Sequence, residues 1–107
     1  MAKLLIVDDD PVNRELLHAY FDGYDHELVD ADSGERALAI ARDWRPDLVL
    51  LDVMMPGLSG FDTARFMKEL QPDEFLPVIL VTALSDHESR LQGLRSGADE
   101  FLTKPID

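Results

Sequence analysis

The chain has 107 residues, no cysteine and a net charge of −12, from 10 basic against 22 acidic side chains. That length makes one domain able to bury roughly 65% of the surface its unfolded chain exposes, and the missing thiols exclude disulfides and thiolate metal sites. The acidity argues against nucleic-acid binding by this domain, while 46% hydrophobic residues in patterned runs argue against disorder.

No apolar run approaches the ~20 residues of a membrane span. The N-terminal Met-Ala-Lys-Leu-Leu-Ile-Val-Asp has only four consecutive apolar residues after its lysine, too few for a signal peptide. A cytoplasmic protein without membrane contact is expected.

Leu4 to Val7 is a short apolar run that ends in Asp8, Asp9 and Asp10. It reads as a buried strand followed by a loop. Asp10 suits a helix N-cap and Pro11 the first helical position, where its missing N–H leaves nothing unsatisfied. Val12, Leu16, Leu17, Tyr20 and Phe21 recur at helical spacing, which predicts a helix over about 11–22 with one apolar face. Gly23 stands where a C-terminal cap belongs.

His26 to Ala31 alternates weakly and reads as a second strand. Ser33 caps a second helix, with Ala37, Leu38, Ile40, Ala41 and Trp44 on its apolar face and Pro46 ending it. Leu48 to Leu51 is a third strand, closed by Asp52. Apolar Val53, Met54 and Met55 follow, then Pro56 and Gly57 turn the chain. From Gly60 a third helix directs Phe61, Ala64, Met67 and Leu70 inward, and Pro72 stops it. Pro77 introduces a fourth strand, Val78 to Val81, ending in Thr82. Ser85 caps a fourth helix carrying Leu91 and Leu94, closed by Gly97. Phe101 and Leu102 form a short fifth strand before Thr103, Lys104 and Pro105.

Buried strands alternating with helices predict a parallel α/β sheet with right-handed crossovers and helices on both faces. The count is five strands and four helices in one domain over 1–107. A fifth helix is expected to begin near Asp107, so the chain is read as cut before that helix or as continuing in the native protein. Without it a flank of the sheet would stand exposed.

A parallel sheet brings all C-terminal strand ends to one edge, where open α/β sheets place their ligands. The polar residues at those ends are Asp8 and Asp9, Asp52, Thr82 and Lys104. Carboxylates ~5 Å apart repel by roughly 3 kcal/mol per pair at an effective dielectric of 20. Either a proton is held there or a cation moves in. A hard divalent ion suits an all-oxygen site, and Mg²⁺ takes one or two carboxylates while keeping waters. With the Lys104 ammonium and the Thr82 hydroxyl, these are the parts that hold a phosphoryl group, and Asp52 has the chemistry of an acceptor forming an acyl phosphate.

Four stretches together resemble the receiver domain of two-component response regulators. They are Leu-Ile-Val-Asp-Asp-Asp-Pro at 5–11, Leu-Leu-Asp-Val-Met-Met-Pro-Gly at 50–57, Val-Thr-Ala at 81–83 and Leu-Thr-Lys-Pro at 102–105. The resemblance covers nearly the whole chain. It implies a flavodoxin-like doubly wound sheet of order 2-1-3-4-5. It implies Asp52 as phosphoacceptor, and Asp9, Asp8, Asp52 and the Met54 backbone carbonyl as holders of Mg²⁺, with Mn²⁺ a substitute. Thr82 and Lys104 would bind phosphoryl oxygens, and Phe101 would be an aromatic switch following Thr82.

The implied partners are a sensor histidine kinase or histidine phosphotransfer protein on one side and an output domain or effector on the other. A homodimer through the face of helix four and strand five is a further expectation. Such a domain catalyses only its own phosphorylation and dephosphorylation. The rival readings are a Mg²⁺-dependent phosphatase with an aspartate nucleophile and an interaction module that is never phosphorylated. Such phosphatases carry a second acid two residues after the nucleophile, where this chain has Met54. His18, His26 and His87 are scattered and read as structural. Lys68, Arg90 and Arg95 read as solvated charges, and Gly57 and Gly60 as turn residues.

Overall fold

The computed structural model describes residues 2–70, 76–82 and 87–103. Five parallel strands and four helices alternate along it. They are β1 (Ala2–Val7), α1 (Pro11–Phe21), β2 (His26–Ala31), α2 (Gly34–Trp44), β3 (Leu48–Leu51), α3 (Gly60–Leu70), β4 (Val78–Thr82), α4 (His87–Arg95) and β5 (Glu100–Thr103). The sheet order is β2-β1-β3-β4-β5, as expected. Leu5 pairs with Val29 and Val49, Leu51 with Leu80, and Thr82 with Thr103.

The strand interiors alternate between two layers. Leu5, Val7, Val49, Leu51, Val78 and Leu80 face α2 and α3, joined there by Ala37, Ala41, Ala64 and Met67. Ile6, Leu50 and Val81 face the other way, against Leu17 of α1. Burying each large aliphatic side chain contributes about 1.5–3 kcal/mol, so the central strands dominate stability. Small residues on α2 and α3 let those helices approach closely. An alanine side chain at Gly34 would stand 3.2 Å from Leu58 Cβ and run into the Thr63 hydroxyl.

The expected caps form. The Asp10 carboxylate accepts from the Val12 N–H at 2.9 Å and Ser33 Oγ from the Arg36 N–H at 3.2 Å. Helix α2 is closed by Arg45, whose φ of 52° places a non-glycine residue in the left-handed region, one residue ahead of Pro46. The expected stops and starts at Pro72, Ser85 and Asp107 lie outside the described residues.

Helix α1 departs from its expected single apolar face. Leu17 is buried and Phe21 packs with it, yet Val12, Leu16 and Tyr20 are 59%, 57% and 44% exposed. Leu17 and Phe21 are four apart and meet the sheet, while Val12, Leu16 and Tyr20 form a neighbouring stripe with the same four-residue spacing. Beyond α1 this face holds an open groove of about 410 Å³ lined by Tyr20, Phe21, Leu50, Val81 and Leu102 among others. Leu70, Leu91 and Leu94 are likewise more exposed than their spacing predicts, at 36%, 37% and 56%.

Lys68 is not a solvated charge. Its ammonium donates to the Leu76 carbonyl at 2.6 Å and to Asp99 Oδ2 at 2.5 Å, and the same oxygen accepts from the Val78 N–H at 2.8 Å. This clip ties α3 to the starts of β4 and β5. Burial pushes the Asp99 carboxyl up, but the hydrogen bonds from Lys68 and Val78 and the Lys68 charge outweigh it and hold the group below its ordinary value. The ionised form is therefore favoured by folding. Its contribution is fully present above about pH 4 and fades as pH falls through the folded-state value. Asp99→Asn should cost about 1–2 kcal/mol at neutral pH, with denaturation curves of variant and wild type converging in acid.

Candidate functional site

Two apolar strand runs, β1 and β3, deliver carboxylates to one edge of the sheet. Asp8 follows β1 and Asp52 follows the neighbouring β3. Both are buried, at 2% and 7% exposure, whereas Asp9 faces solvent. Oxygens of Asp8, Asp9 and Asp52 lie within 4.8 Å of one another. This is an all-oxygen, strongly acidic donor set, which fits a hard divalent cation such as Mg²⁺ or Mn²⁺.

Local hydrogen bonds fix the two buried acids. The Asp8 N–H donates to the Ala31 carbonyl at 3.1 Å and the Asp52 N–H to the Val7 carbonyl at 2.9 Å, extending the sheet by one residue at each strand end. Asp8 Oδ1 accepts from the Asp10 N–H at 3.0 Å, and Asp52 Oδ1 from the Val53 N–H at 2.9 Å. Arg14 donates to the Asp8 carbonyl at 2.7 Å and lies 3.6 Å from Asp30 Oδ2, whose other oxygen pairs with His18. His18 is thus part of a side-chain network behind the Asp8 loop. His26 accepts from the Ala2 N–H at 3.3 Å.

The loop from Asp52 to α3 is closed by several contacts the sequence reading missed. The Gly60 N–H donates to the Val53 carbonyl at 2.9 Å. The Leu58 N–H donates to Glu35 Oε1 at 2.7 Å, which anchors the loop to α2. The Ser59 carbonyl accepts from Thr63 Oγ1 at 2.7 Å, and Ser59 Oγ from the Asp62 N–H at 3.2 Å. Gly57 is a true turn glycine, with φ of 77°. Gly60 is not: it opens α3 and lies flat on the Asp52–Val53 peptide. A Cβ there would sit 2.5 Å from Val53 Cα and 2.8 Å from the Asp52 carbonyl carbon.

The remaining expected residues divide. Thr82 is fully buried at the end of β4, two strands from Asp8 and adjacent to β3. The Met54 side chain is 64% exposed beside the buried Val53 and Met55. Phe101 is half-buried and packs on the α3-side core, with the Arg90 guanidinium carbon 5.9 Å from its ring centre. Arg90 is therefore more than a solvated charge. Lys104 lies outside the described residues.

Residues 4–107 match the family model of the response regulator receiver domain. Response regulator PleD of Caulobacter vibrioides is 47% identical over 106 residues, 99% of this chain and 23% of PleD. Protein PilH of Pseudomonas aeruginosa is 39% identical over 107 residues, 100% of this chain and 88% of PilH. The structure of chemotaxis protein CheY4 of Vibrio cholerae has a TM-score of 0.92 and 31% identity, covering 100% of this chain and 89% of CheY4. Among the described residues, no helix is long and apolar enough to cross a membrane. With a strand order, an acidic strand-end cluster and a family match over nearly its whole length in agreement, the chain belongs to the response regulator receiver domain family.

Proposed function

We propose that this domain is a phosphorylation switch in a two-component relay, with Asp52 as phosphoacceptor. The observation that carries the reading is the meeting of Asp8, Asp9 and Asp52 at the C-terminal edge of the sheet, two of them buried. Such a cluster is electrostatically unfavourable unless a cation or transferable group makes use of it.

A carboxylate oxygen of Asp52 attacks phosphorus of a kinase or phosphotransfer-protein phosphohistidine. The new O–P bond forms as the N–P bond breaks, and the leaving imidazole retains its electron pair and takes up a proton. Asp8, Asp9, Asp52 and the Met54 carbonyl would hold Mg²⁺, which supplies charge neutralisation on the phosphoryl oxygens. The Val53 N–H, bonded to Asp52 Oδ1 at 2.9 Å, orients the carboxylate for attack. Thr82 and Lys104 bind phosphoryl oxygens. Thr82 is drawn toward them, Phe101 follows, and the surface of α4 and β5 changes for an output domain or effector. The chain spans 23% of PleD's length, so the identity of any attached output is a separate matter.

The exposed thioether of Met54 sits two residues past Asp52 and offers no acid, which disfavours a phosphatase acting on an outside substrate. It also offers nothing to orient a hydrolytic water, so the acyl phosphate should persist for many minutes. Met54→Asn is expected to speed its loss about tenfold, ~1.4 kcal/mol of barrier. An unchanged decay of radiolabelled protein would remove Met54 from this role.

The reading itself is tested with acetyl phosphate, with and without Mg²⁺, on wild type and Asp52→Asn. The wild type should take up phosphoryl only with Mg²⁺, and Asp52→Asn should not. No uptake by wild type would sink the switch.

A further inference from the structure

Helix α4 has an unusual way of lying on the sheet. From Glu88 to Arg95 its one buried residue is Gly93; every other position is half-buried or exposed, including Leu91 and Leu94. Most surface helices dock through a stripe of large apolar side chains. This one docks through a missing side chain.

The space Gly93 leaves is filled by Phe101. A Cβ at position 93 would stand 2.8 Å and 3.2 Å from Phe101 Cδ2 and Cε2, and 3.0 Å from Leu80 Cδ1. One turn earlier, Arg90 places its guanidinium 5.9 Å from the centre of the same ring, a cation–π contact. Just past the helix, Ser96 Oγ donates to the Gly93 carbonyl at 2.5 Å, fixing where the seat lies. Phe101 pairs with Leu80 across the sheet, two residues before Thr82.

We propose that Gly93 and Arg90 form the seat of the Phe101 ring and that occupancy of this seat sets the docking of α4. The inference rests on the phosphorylation reading and adds to it the residues that couple the aromatic switch to the helix. They are positioning residues: they act through Phe101, not on the phosphoryl group. While the ring is seated, α4 has its buried contact. When Thr82 is drawn away and the ring follows, the helix loses that contact and is released. A methyl group at position 93 fills the seat. It displaces the ring or lifts the helix, and both move the unphosphorylated protein toward the switched state.

The experiment is a calorimetric titration of beryllofluoride, an acyl-phosphate mimic, at saturating Mg²⁺. It compares wild type, Gly93→Ala, Arg90→Gln, Phe101→Ala and the Gly93→Ala/Phe101→Ala double variant. Gly93→Ala should bind at least about threefold tighter than wild type, and Arg90→Gln tighter by a smaller factor. In the Phe101→Ala background the alanine at 93 should have no effect, because its target is gone. A purely structural role would change the melting temperature and leave these affinities equal. Equal affinities, or the same change with and without the ring, would overturn the proposal while leaving the phosphorylation reading intact. Absence of binding by wild type would overturn both. Position 90 is exposed, so Arg90→Gln keeps the test decisive should Gly93→Ala fold poorly.

Discussion

Gly60→Ala is expected to destabilise the domain by more than about 3 kcal/mol, against the ~1 kcal/mol gain that alanine brings to an ordinary helix position. The reason is the backbone of the acidic site. Gly60 begins α3 pressed against the Asp52–Val53 peptide, and its N–H closes the loop on the Val53 carbonyl at 2.9 Å. A Cβ would overlap the Asp52 carbonyl oxygen and stand 2.5 Å from Val53 Cα. These are main-chain atoms held in the sheet through the bond from the Asp52 N–H to Val7. No rotamer change relieves such a clash, so either α3 lifts or Asp52 shifts. Urea denaturation measures the first and Mg²⁺ affinity the second. A variant with wild-type values of both would show that α3 approaches the site less closely than described.

Asp52→Asn should act on stability in the opposite direction. Asp8 and Asp52 are buried, and oxygens of the two lie with one of Asp9 within 4.8 Å of each other. Removing one charge from this cluster relieves repulsion of about 1–3 kcal/mol at an effective dielectric near 20, the exposed Asp9 being well screened. Without divalent cation, the variant is expected to unfold at higher urea concentration than wild type by that amount. Added Mg²⁺ should stabilise wild type by mass action and the variant far less. A variant less stable than wild type in chelator would mean that repulsion among the three carboxylates does not govern the stability of this edge.

Much of this was legible in the sequence because a parallel sheet writes itself in a simple code. Leu4–Val7, Leu48–Leu51 and Val78–Val81 are buried on both faces, so they are nearly continuous apolar runs. A polar residue ending each run then marks the edge where ligands gather. Asp8, Asp52 and Thr82 stand out in this way from the sequence alone. The strand order came from the family resemblance, since nothing in the runs themselves says which strand lies beside which.

What the sequence hid depends on distance along the chain or on how much surface the fold covers. The spacing of Val12, Leu16 and Tyr20 gives the direction of an apolar stripe but not whether a partner lies over it. Glu35 and Leu58 are 23 residues apart, and nothing local to either announces their hydrogen bond. Lys68 and Asp99 are separated by 31 residues, and Lys68 taken singly reads as a solvated charge. Gly60 reads in sequence as a turn residue and Gly93 carries no signal of its own, because a glycine chosen for close approach looks the same in sequence as one chosen for a turn. Only Gly57 among the two loop glycines has the positive φ of a turn.

The central claim is that Asp52 itself receives the phosphoryl group. The most direct measurement reacts the protein with acetyl phosphate and Mg²⁺, then reduces the acyl phosphate with borohydride, which converts a phosphorylated aspartate into homoserine. Peptide sequencing by mass spectrometry locates the converted residue. The account predicts homoserine at position 52 and at none of the other acids, Asp8 and Asp9 included, with no conversion when Mg²⁺ is chelated. Conversion at Asp8 or Asp9, or at no aspartate despite Mg²⁺, would contradict it.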